Sequence, residues 1–140
     1  MDIHYTAEAT SSGGREGHVR ASDGSIDLAL SMPKELGGSG RAGATNPESL
    51  FAAGYAACFE NALLRAAREQ KIRLNGSSVT ARVGIGRMEN GRFNLEVDLS
   101  VSLPGLEQTQ AAELARLAHE EICPYSRATR GNIEVNVSVA

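Results

Sequence analysis

The run TNPESLFAAGYAACF, residues 45–59, decides the architecture of this chain. Thr45 or Asn46 can cap a helix, Pro47 suits its first turn, and Glu48 complements the positive end of its dipole. From Leu50 to Phe59 no residue is charged. That stretch is expected to be buried on most sides, and its alanines and glycine permit close approach of another helix. Charge returns at Glu60, Arg65, Arg68 and Glu69, which brings the second half of the helix to solvent.

Upstream of this helix, Ile3, Tyr5, Ala7 and Ala9 alternate with His4, Thr6, Glu8 and Thr10. A period of two predicts a half-buried strand. Gly13, Gly14 and Gly17 surround Arg15 in a turn. A short strand near His18 to Ser22 follows, then the Asp23-Gly24 turn and a third strand through Ile26, Leu28 and Leu30, completing an antiparallel meander. Residues 33–46 form a glycine-dominated loop, of a length that commonly folds over a site.

Downstream, Val79, Ala81, Val83 and Ile85 predict a strand that turns at Asn90-Gly91 into a second strand. That second strand alternates Phe93, Leu95, Val97, Leu99, Val101 and Leu103 with polar residues and ends at Pro104-Gly105. Leu114, Leu117, Ala118 and Ile122 mark one face of a second amphipathic helix that stops before Pro124. PYSRATRGN, residues 124–132, reads as turns leading to a last strand through Ile133, Val135, Val137 and Val139.

The order βββ-α-ββ-α-β with one-sided antiparallel strands predicts an α+β fold in one domain over residues 1–140, not a parallel βαβ fold. A single chain is hard-pressed to cover both the sheets and so apolar a helix. An intertwined homodimer with the long helices at its centre meets both needs.

The balance of 41% hydrophobic and 22% charged residues is that of a globular protein. No apolar stretch approaches the ~20 residues that span a bilayer, and MDIHYTAEAT has neither a basic nor an apolar signal region. A cytoplasmic protein is expected. A formal charge of −3 favours neither nucleic acid nor an anionic membrane, and 4% aromatics without Trp offer no base-stacking platform. His4, His18 and His119 have no metal-binding or triad spacing, and the glycine loop lacks a phosphate-binding lysine.

The chemistry rests on two cysteines, Cys58 and Cys123. In the cytosol a thiol pair is more often catalytic or redox-active than structural. Cys58 reads as a buried, inert thiol or as a nucleophile. Attack requires the thiolate, hence a lowered pKa. On a straight helix from Pro47, Cys58 lies about 16 Å from the start, beyond the useful reach of the dipole. Either a break near Gly54 or an arginine must supply positive charge. Arg15, between glycines, is the candidate cation or simply a solvated turn residue. Glu48 either orients it through a bidentate pair or only complements the helix dipole. Cys123, at a helix end beside a proline turn, is placed where a sulfur can move toward a partner. A disulfide needs Cα atoms within about 7 Å, which the spacing neither supports nor forbids.

Three motifs, GGREG (13–17), TNPESLFAAGYAACF (45–59) and ICPYSRATRGNIEV (122–135), closely resemble the organic hydroperoxide resistance (Ohr) proteins, a subfamily of the OsmC-like fold. The resemblance runs from about Tyr5 to the C-terminus. It implies Cys58 as peroxidatic thiol, Cys123 as resolving thiol, Arg15 as activator of thiolate and peroxide, and Glu48 as the group that holds Arg15. It further implies an intertwined homodimer and reduction of organic, including fatty-acid, hydroperoxides through a Cys58 sulfenic acid and a Cys58–Cys123 disulfide. No bound cofactor is expected, and a dihydrolipoyl group on a lipoylated protein is the implied external reductant. Phe51, Phe59 and Leu36 are expected to line an apolar substrate pocket. Arg41 within the glycine run and RMENGRF (87–93) depart from the family's usual wording, away from the four proposed active residues. The OsmC subfamily proper, with the same chemistry, is the neighbouring alternative, and CPYSRATRGN argues against it. A non-enzymatic dimer that binds an apolar ligand is the alternative from another class.

Overall fold

The computed structural model describes residues 1–140, and the chain gathers into two compact units, Met1–Leu50 and Phe51–Ala140. The first holds an antiparallel meander of β1 (Ala9–Ser12), β2 (His18–Ala21) and β3 (Asp27–Ala29). The meander is as expected, but its first strand is shorter. Residues 1–8 carry most of the alternating pattern yet form no strand, and Ile3 and Tyr5 are exposed. Within the chain only the end of that segment is paired, the Glu8 carbonyl accepting the Ser22 N–H at 2.9 Å, so most of its periodicity has no ladder to join.

The glycine-rich loop is compact. Lys34–Leu36 makes a single 3-10 turn, and the hydroxyl of buried Ser31 accepts the Arg41 N–H at 2.9 Å. Thr45 then bridges back beside Leu30. Asn46 caps α1 (Pro47–Glu69), its side-chain oxygen accepting the Ser49 N–H at 2.8 Å.

The second unit contains most of α1, β4 (Ser78–Arg87), β5 (Phe93–Ser102), α2 (Gln108–Leu117), α3 (Pro124–Thr129) and β6 (Glu134–Val139). A wide turn of π-helix over Ala118–Ile122 joins α2 to the segment before α3. β4 and β5 pair antiparallel around the Asn90-Gly91 turn, but β6 lies parallel to β5. The sheet is therefore mixed, a correction to the all-antiparallel expectation. Parallel neighbours need a long crossover, and α2, the π turn and α3 supply it.

One face of this sheet is apolar. Val97, Leu99 and Val101 are fully buried, and their register partners Val83, Ala81, Val79, Val135, Val137 and Val139 pack on the same core. Ala62, Leu63, Ala66 and Ala67 of α1 and Ala111, Leu114 and Ala115 of α2 complete it. The burial of α1 is one-sided. Ala53, Ala57, Asn61 and Leu64 form an exposed stripe, so within this chain the charge-free stretch is not covered on most sides as its composition suggested. No helix is long and apolar enough to cross a membrane.

Candidate active site

In the second unit the fold brings the two cysteines together. The Cys123 Sγ lies 3.5 Å from the Cys58 Sγ, and both are free thiols. A disulfide bond is about 2.05 Å long, so the pair is a reduced dithiol in contact. Closure requires only a short approach. Cys123 is 2% exposed, while Cys58 is half-buried on α1.

Cys123 does not sit at a loose helix end. It caps α3, its sulfur accepting the Ser126 N–H at 3.5 Å, with Pro124 in the first turn. The segment read as turns is partly this helix, because proline is well suited to a first turn, where its missing N–H costs nothing. The backbone N–H of Tyr125, one residue earlier, acts on the Cys58 sulfur and favours its thiolate. Both sulfurs thus draw on the first turn of α3.

There is no break at Gly54, since α1 runs unbroken through it. The glycine instead makes room for an aromatic ring: a Cβ there would lie 3.2 Å from the Tyr125 ring and hydroxyl. Tyr125 also stacks on Phe51, with centroids 6.3 Å apart. Burial pushes the Cys58 thiol above its ordinary pKa, the Tyr125 N–H partly opposes this, and the bond with Cys123 adds to the rise.

Behind the dithiol lies a buried polar chain that sequence reasoning missed. The Tyr55 hydroxyl bonds Ser126 Oγ at 2.9 Å and Thr129 Oγ1 at 3.0 Å, and His119 Nδ1 reaches Ser126 Oγ at 2.9 Å. Tyr55 and Ser126 are fully buried, and no buried side-chain N or O atom lacks a partner. Burial, reinforced by the Arg130 charge and opposed by Glu120, lowers the His119 pKa below its ordinary 6.5. The imidazole is therefore neutral at pH 7. Tyr55 and Ser126 stand 71 residues apart, so no local spacing could have announced the chain.

The first unit holds the other two proposed residues. Arg15 sits on a 3-10 turn, Gly14–Glu16, and its Nη1 and Nη2 donate to Glu48 Oε2 at 2.8 Å and Oε1 at 2.6 Å. This is the bidentate pair that one reading of the motif expected. Gly13 has φ +80°, and a Cβ on Gly17 would lie 1.7 Å from the Ser12 carbonyl oxygen, so the turn needs both glycines. Glu16 Oε1 accepts the Met32 N–H at 2.9 Å, a second tether that the sequence did not suggest. The Arg15 hydrogen bond holds the Glu48 carboxyl below its ordinary 4.5 despite partial desolvation, and Glu48 raises Arg15 in turn.

Of the expected pocket residues, Phe51 is half-buried, edge-on to Tyr55 at 5.9 Å. Phe59 is fully buried in the core beside Tyr55 and offers no surface to a ligand, a correction: its place on the face of α1 toward the sheet commits it to packing. Leu36 is half-buried in the glycine loop of the first unit. No group of three or more His, Cys, Asp or Glu side chains is arranged to hold a metal ion.

Comparison with known proteins places this arrangement in a family. The model of the OsmC-like protein family matches residues 38–138. The organic hydroperoxide resistance protein of Xanthomonas axonopodis pv. citri is 49% identical over 139 residues, covering 99% of this chain and 96% of the relative. The organic hydroperoxide resistance protein OhrB of Bacillus subtilis is 44% identical over 138 residues, covering 96% and 97%. Among solved structures, that of an organic hydroperoxide resistance protein from Legionella pneumophila superposes with a TM-score of 0.92 at 49% identity and covers 99% of each chain. The chain belongs to the OsmC-like family and, within it, to the organic hydroperoxide resistance subfamily.

Proposed function

We propose that this protein confers resistance to organic hydroperoxides as a cysteine-based peroxidase. The observation that carries the reading is the 3.5 Å contact between two free thiols 65 residues apart, one buried and one half-buried. Relatives that match nearly the whole chain are named for organic hydroperoxide resistance.

In the proposed cycle the Cys58 thiol and ROOH give Cys58–SOH and ROH. The sulfenic acid then condenses with Cys123 to a disulfide and water, the reversible rung of the thiol oxidation ladder. A dihydrolipoyl group on a lipoylated protein reduces the disulfide by thiol–disulfide exchange. No bound cofactor takes part. Because burial raises the Cys58 thiol, forming the attacking thiolate needs a positive group. Arg15 is proposed for that role, and the bidentate pair with Glu48 keeps its guanidinium from being a free surface charge.

The working form is proposed to be a cytoplasmic homodimer. The exposed stripe Ala53, Ala57, Asn61 and Leu64 on α1 gives a second copy a smooth surface to cover. Sedimentation at micromolar concentration should return a dimer, and a stable monomer would remove this part.

The function is tested by following cumene hydroperoxide consumption with dihydrolipoamide as donor. Wild-type protein should turn over, whereas Cys58→Ser should lose at least ~10⁴-fold in rate. Equal rates would sink the enzymatic assignment.

A further inference from the structure

We propose that Tyr55, Ser126, Thr129 and His119 are positioning residues of the resolving step, a hydrogen-bonded brace that keeps Cys123 Sγ against Cys58 Sγ. The inference rests on the thiol cycle proposed above.

The direction of the chain follows from counting protons, since each hydroxyl has one to give. The Thr129 hydroxyl shares its one proton between the carbonyls of Tyr125 at 3.0 Å and Ser126 at 3.2 Å. Thr129 Oγ1 must then accept from the Tyr55 hydroxyl. Tyr55, its proton committed, accepts from Ser126. Ser126 Oγ in turn accepts from His119, whose neutral ring therefore carries its proton on Nδ1. Every donor has an acceptor, and the chain runs one way from His119 to the backbone of α3.

The placement of the chain shows what it braces. Tyr55 lies on α1 one turn before Cys58, and Ser126 and Thr129 lie on α3, which Cys123 caps. Ser126 joins the two systems, because its side chain belongs to the polar chain while its N–H rests on the Cys123 sulfur. The two helices that carry the reacting sulfurs are thus tied together beside the gap between them. A phenylalanine at position 55 would fill the same core volume. A buried hydroxyl must instead be fully partnered to be tolerated, and a fully partnered network specifies one arrangement.

The step served is Cys58–SOH + Cys123–SH → Cys58–S–S–Cys123 + H₂O. An S–S bond forms, the S–O bond breaks, and the Cys123 proton leaves with the hydroxyl as water. The hydroperoxide is the oxidant. The brace supplies geometry and no proton. Misplacement by about 1 Å can cost about 100-fold in rate.

The test is a single turnover of the full-length protein with cumene hydroperoxide in stopped flow, with dimedone trapping of the sulfenic acid. In Tyr55→Phe, peroxide consumption should stay within about twofold of wild type while disulfide closure slows by about 10- to 100-fold, and trapped Cys58 sulfenic acid should accumulate. Ser126→Ala should behave alike, and Ser126→Thr, which keeps the hydroxyl, should close faster than Ser126→Ala. Should Tyr55→Phe fail to fold, Thr129→Val against Thr129→Ser reads the same quantity, with slow closure expected only for valine. Closure as fast as wild type in the hydroxyl-lacking variants, or equal slowing of both steps, overturns the proposal. If wild type forms no peroxide-driven disulfide, the thiol cycle and the brace fall together. If wild type forms it and Tyr55→Phe closes as fast, only the brace falls.

Discussion

Arg15 and Cys123 are both held in place by polar partners, but by opposite means. Arg15 stands on a glycine turn with 29% of its side chain exposed, and Glu48 and the neighbouring Glu16 tether account for its anchoring. Cys123 is sealed at 2% exposure under a backbone N–H and a chain of three buried side chains, Tyr55, Ser126 and Thr129, that ends at half-buried His119. An ion pair near solvent is screened and can part at modest cost. A buried network cannot lose one member without leaving another unpartnered. The difference suits the roles proposed for them, a cation that meets incoming peroxide and a thiol that waits in one place.

The largest effect is expected of Arg15→Ala. If Arg15 activates Cys58, the peroxide step should slow by about 10²- to 10³-fold, as on loss of a charge-stabilising group. The pH at which Cys58 becomes alkylated should rise as well. An unmoved alkylation profile would remove the activation role.

Next in size is the stability of the buried chain. Ser126→Ala should destabilise the protein by about 1–3 kcal/mol in urea melts, because it strands the partners of the hydroxyl. A change of only a few tenths would mean that water or repacking replaces it.

The Arg15–Glu48 pair should contribute less, about 1 kcal/mol after solvent screening. Its pH dependence has a definite sign. The folded Glu48 pKa lies below its ordinary 4.5, so the contribution is complete above about 4.5 and is lost as pH falls through the depressed value. The stability difference between wild type and Glu48→Gln should therefore be present at neutral pH and fade in acid. A difference that persists in strong acid would contradict the pair.

The smallest effect is expected at Gly54→Ala. A helix gain of about 1 kcal/mol is opposed by the tight contact with Tyr125. The substitution should be nearly neutral alone and stabilising in a Tyr125→Ala background. Equal effects in both backgrounds would show that the ring does not depend on the glycine.

Much of this was legible from local patterns. The capping residue, the charge-free run of α1 and the alternation of β4 and β5 each lie within one element, so spacing alone exposes them. The Arg15–Glu48 pair was one of two readings of its motif. The direction of β6 was hidden because it depends on where the crossover returns the chain. Pro124 stops one helix and starts another, and only the second role shows that Cys123 is a cap. The buried chain escaped because its members lie on α1, the π turn and α3, joined only by the fold. His119 matches no metal or triad spacing, so its role shows only once the fold brings Ser126 to it. The alternation over Ile3–Ala7 has a pattern but no strand partner within the chain.

Peroxide is proposed to join Cys58 to Cys123. One equivalent of cumene hydroperoxide added to the reduced protein, followed by thiol counting and peptide mass spectrometry, tests it directly. Both free thiols should be lost and a Cys58–Cys123 disulfide peptide should form, restored to dithiol by dihydrolipoamide. Two intact thiols, or oxidation of Cys58 with Cys123 left free, would contradict it.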